Sequence, residues 1–334
     1  MGETVASMFE APFLHVKVSV KPQREAQNDP GRKRHWWRHG RTGDDYRSAI
    51  AQLPRFIATP RVAKHRYFVW LASTVWPDSR LYAVTRANDT TFGILSSRLH
   101  EAWSLANASI HGDGDDGGRP TYNAKSCFET YPFPLGLTPA DTAHQQTETL
   151  ETGAQITAGL AQSNLPAQPQ NKPTNKAGAG QRLAVTLKSE AKEPPAYAPL
   201  TPGQSAAAST NLRQLAIQIA NAAKHLNDLR NNWLNLPEWT YRVPEVIPLG
   251  MDKSPYPDPI EPKPGISEAD LKALQKRTLT NLYNLRPQWL AHAHEQLDLA
   301  VAAAYGWPDY SATMPVDEIL KRLLALNLQR AAGE

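Results

Sequence analysis

Residues 140–208 place the tightest limit on how this chain can fold. The runs "TAHQQTETLETGAQ", "NLPAQPQNKPTNKAGAG" and "KEPPAYAPLTPGQSAAAST" are built from Gln, Asn, Thr, Pro, Ala and Gly. Such a stretch buries too little apolar surface to offset its ordering entropy. It reads as a linker or insertion, largely disordered, with at most a short ordered piece at "QRLAVTL". It cuts 334 residues into parts that can each support a core. The expected fold class is α+β: a small mixed α/β domain, a long low-complexity linker, then a helical C-terminal domain. The expected boundaries are a basic junction at 1–48, the mixed domain at 49–139, the linker at 140–208 and the helical domain at 209–334.

Upstream of the linker, "RFIAT", "YFVWL" and "LYAVT" are short, aromatic or β-branched, and bounded by Pro, Asp and Asn. They predict three strands. In "FGILSSRLHEAWSLANAS", Ile94, Leu95, Leu99, Ala102, Trp103 and Ala106 share one face at helical spacing. "HGDGDDGGRPTYNAKS" is a loop by its Gly and Asp content. "CFETYPFPLGLTP" holds too many prolines for a helix and predicts an extended segment with its aromatics packed on the domain.

Downstream, Leu212, Leu215, Ile219, Ala222, Leu226, Leu229 and Trp233 recur at three and four residues, which predicts an amphipathic helix. The eight prolines from Pro237 to Pro264 exclude a helix there. Ser267 caps a helix expected to run through about Tyr283. Another runs from about Pro287 to Tyr305, with Gly306 just past its end. "VDEILKRLLALNLQR" is the last.

Charge is local. Lys21 to Arg66 holds twelve Lys and Arg against four Asp and Glu, an excess larger than the +4 of the whole chain. A basic surface releases counterions on meeting phosphates, which gives affinity without sequence preference. Within this region "GRKRHWWRHGR" sets two tryptophans among cations. They either stack on bases or pin a neighbouring domain. The single Cys127 excludes an intrachain disulfide and a cysteine-rich zinc site, so a reducing compartment is expected. No signal peptide and no membrane-length apolar run stand out, which makes a soluble cytoplasmic protein the expectation.

Candidate chemistry is thin. "GDGDDGG" lacks the closing Glu of a calcium loop. "AGAGQRLAVTL" lacks the strand and helix that a phosphate loop needs. "LNLPEW" lacks the double proline and the aromatic of an adenine-gripping tetrapeptide, and reads as a helix terminus before a Pro-fixed loop. His292 and His294 point to different sides of a helix and cannot share a metal. Cys127 has no evident base beside it and reads as buried and bland. No catalytic, cofactor-binding or metal-ligating residue is assigned.

Four blocks carry a resemblance: "LPRFIATPRVAKHRYFVWL", "FGILSSRLHEAWSLA", "TYNAKSCFETYPFP" and "KRTLTNLYNLRPQWLAHAHEQLDLAVAAAYGW". In order and spacing they resemble the C-terminal part of the MmeI-like class I SAM-dependent adenine-specific DNA methyltransferases. The resemblance runs from Phe9 to near the end and skips the linker. It implies that 49–139 is a target recognition domain, followed by a helical domain. It also implies that S-adenosylmethionine is held in the complete enzyme by motifs upstream of these blocks, with no cofactor in this chain. The partners implied are double-stranded DNA and a methyltransferase catalytic domain or subunit encoded upstream. This chain alone is then expected to be inactive as an enzyme. The alternative is a stand-alone DNA-binding protein or an inactive remnant of a split methyltransferase gene. Enzymes that act on a duplex base must flip it and need an arm that grips the helix. The residues chosen for that arm are Arg32, Lys33, Arg34, Arg38, Arg61, Lys64 and Arg66 on phosphates, with Arg119, Tyr122, Asn123 and Lys125 at base edges. Trp36 and Trp37 are expected as packing anchors at the domain junction.

Overall fold

A computed structural model describes residues 2–40, 43–112, 118–160, 205–247, 252–254 and 256–332, with backbone alone for 205–211. The segments "QRLAVTL" and "AGAGQRLAVTL", and the acidic centre of "GDGDDGG", lie outside the described residues. The chain divides into two compact units, Met1–Leu53 and Pro54–Glu334.

The first unit is made of short helices: α1 (Glu3–Ser7), α2 (Glu10–Ser19), α3 (Lys21–Glu25), α4 (Pro30–Arg34) and α5 (Asp44–Ile50). Its most buried ring is Trp36, 5% exposed. Phe13 meets that ring at 5.2 Å, Trp37 meets it edge-on at 5.9 Å, and the Lys21 ammonium lies 5.0 Å from its centre. The tryptophan pair therefore anchors helices inside this unit, where apolar contact and a cation over the ring reinforce one another.

The second unit opens with an antiparallel sheet in the order β2-β1-β3, made of β1 (Arg55–Pro60), β2 (Val69–Ala72) and β3 (Leu81–Val84). These are the three strands the sequence predicts. The central strand β1 is closed off from Phe56 to Thr59, each 0% exposed. The single helix expected from "FGILSSRLHEAWSLANAS" is two: α6 (Asp89–Ser96) and α7 (Arg98–Ala106). Ser97 adopts an extended conformation between them, and its hydroxyl caps the second helix at the His100 amide. Asn88 caps the first through the Thr91 amide at 2.7 Å. Then β4 (Ser109–His111) pairs with β5 (Arg119–Thr121). Ala124–Phe128, expected as the end of a loop and, from Cys127, the start of an extended segment, forms one π-helical turn capped by Asn123. Beyond it Tyr131, Phe133 and Leu137 enter the core, as the sequence expects of this proline-rich stretch.

The start of the expected linker is ordered. β6 (Thr147–Thr149) and β7 (Gln155–Thr157) form a hairpin. Ala154 and Ile156 pack with Ala220, and the Gln155 amide donates to Asp89 at 2.7 Å. Tertiary burial thus supplies the stabilisation that the polar composition of residues 140–160 lacks.

α8 (Ser205–Leu234) crosses α6 and carries the expected amphipathic stripe. After β8 (Thr240–Arg242) and β9 (Ile260–Pro262) come α9 (Glu268–Gln275), α10 (Leu279–Leu285), α11 (Gln288–Ala304) and α12 (Val316–Ala332). Ser267 caps α9 as expected, but the helix predicted to reach Tyr283 stops at Gln275. Thr278 recaps the chain through the Asn281 amide, and the Asn281 side chain donates back to Lys276 O at 2.7 Å. α11 ends as the sequence predicts, with Gly306 at φ +70° and the Trp307 amide closing back on Ala302 O. One apolar cluster draws on Ile57, Phe68, Phe92, Leu99, Ile219, Leu226, Leu297 and Leu323. The segments expected as separate recognition and helical domains share that core.

Candidate nucleic-acid interface

Two loops of the second unit lie side by side. Val62 and Thr121 form a β-bridge, and the Tyr122 amide donates to Arg61 O at 2.7 Å. Arg66 binds the loops together from beneath and is only 7% exposed. Its Nη1 donates to Thr59 Oγ1 and to Pro60 O, and its Nη2 reaches Pro120 O at 3.4 Å. Its guanidinium lies 4.9 Å from the centre of the Tyr122 ring. Tyr122 is 1% exposed, and its hydroxyl meets His100 Nε2 at 3.2 Å.

This placement sorts the residues chosen from the sequence. Arg61, Lys64, Arg119, Asn123 and Lys125 are exposed on these two loops. Arg66 and Tyr122 are buried beneath them and cannot contact a phosphate or base edge in this fold. Both act as positioning groups, because a buried guanidinium with no carboxylate partner must satisfy its donors on carbonyls and hydroxyls. Burial lowers the Arg66 pKa and raises that of Tyr122. The Asn123 side-chain oxygen accepts from the Lys125 amide at 3.0 Å, and the residue is exposed. The remaining candidates, Arg32, Lys33, Arg34 and Arg38, belong to the first unit. Arg32, Lys33 and Arg34 are exposed, with Arg32 paired to Asp29 at 3.3 Å, and Arg38 is half-buried.

Sequence reasoning missed the neighbour of this surface. His65 Nε2 donates to Asn284 Oδ1 at 2.8 Å across 219 positions of sequence. The Tyr283 ring sits 6.0 Å from His65 and 5.7 Å from Tyr67. These contacts seat the turn after α10 beside the β1–β2 loop. No local pattern encodes such a pairing.

Beneath the loops, His100 is buried and its imidazole is held down to about 3, chiefly by burial, with the Arg66 charge adding to the effect. Its Nδ1 donates to Leu95 O at 3.0 Å, so the neutral ring is fully bonded. In the unfolded chain the ring takes its proton near 6.5. Its contribution to stability is complete above pH 6.5 and is lost as pH falls from 6.5 towards 3. The stability gap between the native chain and His100→Gln is therefore expected to narrow by about 1 kcal/mol per pH unit between pH 6 and 4. Urea denaturation at several pH values measures it, and a constant gap contradicts the assignment.

A cleft of about 260 Å³ opens along β3, walled by Tyr82, Val84, Arg86, Tyr122, Phe128 and Pro139. Arg86 is already committed, donating to Thr142 Oγ1, Thr85 O and Pro139 O. Cys127 is buried, and its sulfur meets Ser104 O, the Asn123 amide and Ser126 Oγ. Among the described residues no group of three or more His, Cys, Asp or Glu could hold a metal ion, and no helix is long and apolar enough to cross a membrane.

No protein-family model matches this sequence, and no curated protein matches it. Among solved structures the chain is coarsely similar to a type IIL restriction-modification enzyme, MmeI, determined in complex with DNA. The identity is 14% and the TM-score 0.39, over 99% of this chain and 27% of that one. The chain thus spans about a quarter of that enzyme's length.

Proposed function

We propose that this protein grips duplex DNA and serves as the target-recognition part of a site-specific adenine methyltransferase of restriction-modification type. One observation carries the reading. Buried Arg66 locks two loops together so that Arg61, Lys64, Arg119 and Lys125 stand exposed on adjoining segments. Cations gathered in this way suit a phosphate backbone, and the neighbouring Asn123 suits a base edge. The four sequence blocks supply the class of enzyme.

The methyl-transfer chemistry is assigned to a partner domain or subunit that binds S-adenosylmethionine. The cleft along β3 does not fit that cofactor: its walls carry no carboxylate for the ribose hydroxyls, and all three nitrogens of its arginine already donate to the protein. Purified protein incubated with labelled S-adenosylmethionine and duplex DNA is accordingly expected to transfer no methyl group.

Binding is tested by salt dependence. The plot of log affinity against log salt is expected to be linear and steep. Replacing Arg61, Lys64, Arg119 and Lys125 together by Ala removes up to four phosphate contacts and is expected to flatten the slope by up to about 3.6. All four side chains are exposed, so the variant keeps its fold. An unchanged slope, or native binding that ignores salt, refutes the interface.

A further inference from the structure

Two helix ends in the second unit use the left-handed conformation. At Gly306 the residue is glycine, which enters it freely. At the end of α10 the residue is Arg286, with φ +41° and ψ +59°. A side chain there is strained, and the following Pro287 narrows the choice further. Among the described residues the other non-glycine residue with positive φ is Gln145, and its side chain has an internal task, donating to Thr85 O at 3.2 Å. Arg286 has none. Among the described residues its guanidinium makes no hydrogen bond and no ion pair, and only its backbone amide is used, on Leu282 O.

Its surroundings are positive. Arg286, His65, Arg66 and Arg98 lie within electrostatic reach of one half-buried carboxyl, that of Glu101. None of them forms an ion pair with it among the described residues. Arg98 and Arg286 also lie within reach of the buried Asp298 carboxyl, so three guanidiniums share two carboxyls. The hydrogen bond from His65 to Asn284 holds this turn against the loop that carries Arg61 and Lys64.

We propose that Arg286 contacts a backbone phosphate of the same duplex held by Arg61 and Lys64, so that the α10–α11 turn extends the DNA face into the helical segment. The inference rests on the DNA-binding reading above. An exposed left-handed arginine whose guanidinium makes no hydrogen bond or ion pair among the described residues keeps its donors for a phosphate outside the fold.

The test compares the native full-length chain with Arg286→Gly and Arg286→Gln on a duplex of about 25 base pairs, a length that spans a few turns of B-DNA. Arg286→Gly relieves the strain, so its melting temperature is expected to equal or exceed the native value. Its affinity is expected to fall roughly fivefold at low salt and its salt slope by about 0.9, the share of one phosphate. Arg286→Gln keeps the strain and loses the charge, so it is expected to show the same slope change with no gain in melting temperature. Inorganic phosphate at matched ionic strength is expected not to compete, which separates a duplex contact from a free-anion site. Competition by phosphate beyond the effect of ionic strength overturns the duplex assignment. If the native chain binds and both variants bind with the native slope, the inference falls alone. If the native chain shows no salt-dependent binding, the parent reading falls and the inference falls with it.

Discussion

Gly93→Leu is expected to destabilise the second unit by about 3 kcal/mol or more, the upper range for forcing bulk into a packed core. Gly93 lies on α6 where it meets α8 and α11. A Cβ built there would stand 2.7 Å from Ile219 Cγ2, 2.9 Å from Ala223 Cβ and 3.1 Å from Leu297 Cδ1. The first and third atoms belong to side chains that can turn. Ala223 Cβ is fixed to its backbone and moves only with the helix. In an exposed helix Gly→Ala would add about 1 kcal/mol of stability. Here even Gly93→Ala is expected to lower it, because the crossing distance is set by the missing methyl. Thermal or urea denaturation reads both variants. A Gly93→Ala protein more stable than the native chain would show that α8 and α11 yield without loss. Coupling gives a second check: Ile219→Ala, harmful alone, should recover part of the loss in the Gly93→Ala background.

The second large effect is expected at Arg66. Arg66→Met keeps much of the apolar stem and removes the donors that serve Thr59 Oγ1, Pro60 O and Pro120 O. An acceptor buried without a partner costs about 1–3 kcal/mol, less at the half-buried Pro60 and Pro120 carbonyls than at Thr59, offset in part by the loss of an uncompensated buried charge. A net loss of about 3 kcal/mol is expected on that balance. Arg66→Lys should recover only part of it, since an ammonium cannot reproduce the planar fork that spans both loops. DNA affinity should fall in step with the loosened loops. A variant of native stability whose salt slope drops by one phosphate would instead return Arg66 to the surface role expected from sequence.

The sheet and most helices were legible because their signals are local. Aromatic and β-branched content between Pro, Asp and Asn marks β1 to β3, apolar spacing marks α8, and Ser267 and Gly306 mark helix ends. Two breaks were not legible. "SS" within an apolar stripe gives no sign that Ser97 turns the chain, and Thr278 recaps in the middle of a polar stretch. Both breaks suit helices that must lie on different neighbours, a demand set by the core rather than by residues nearby in the chain. The hairpin of β6 and β7 was hidden for a related reason. Its support comes from Asp89 and Ala220, which stand far from it in sequence.

Sequence alone determined the kind of elements and the concentration of positive charge from Lys21 to Arg66. Each is a property of residue types and short spacings. Tertiary structure alone decided which cations face outward. Arg61 and Lys64 stand on the surface while Arg66, between the same two strands, is turned in to hold carbonyls from two loops. A side chain's burial depends on what the rest of the chain places over it, and neither periodicity nor composition carries that information.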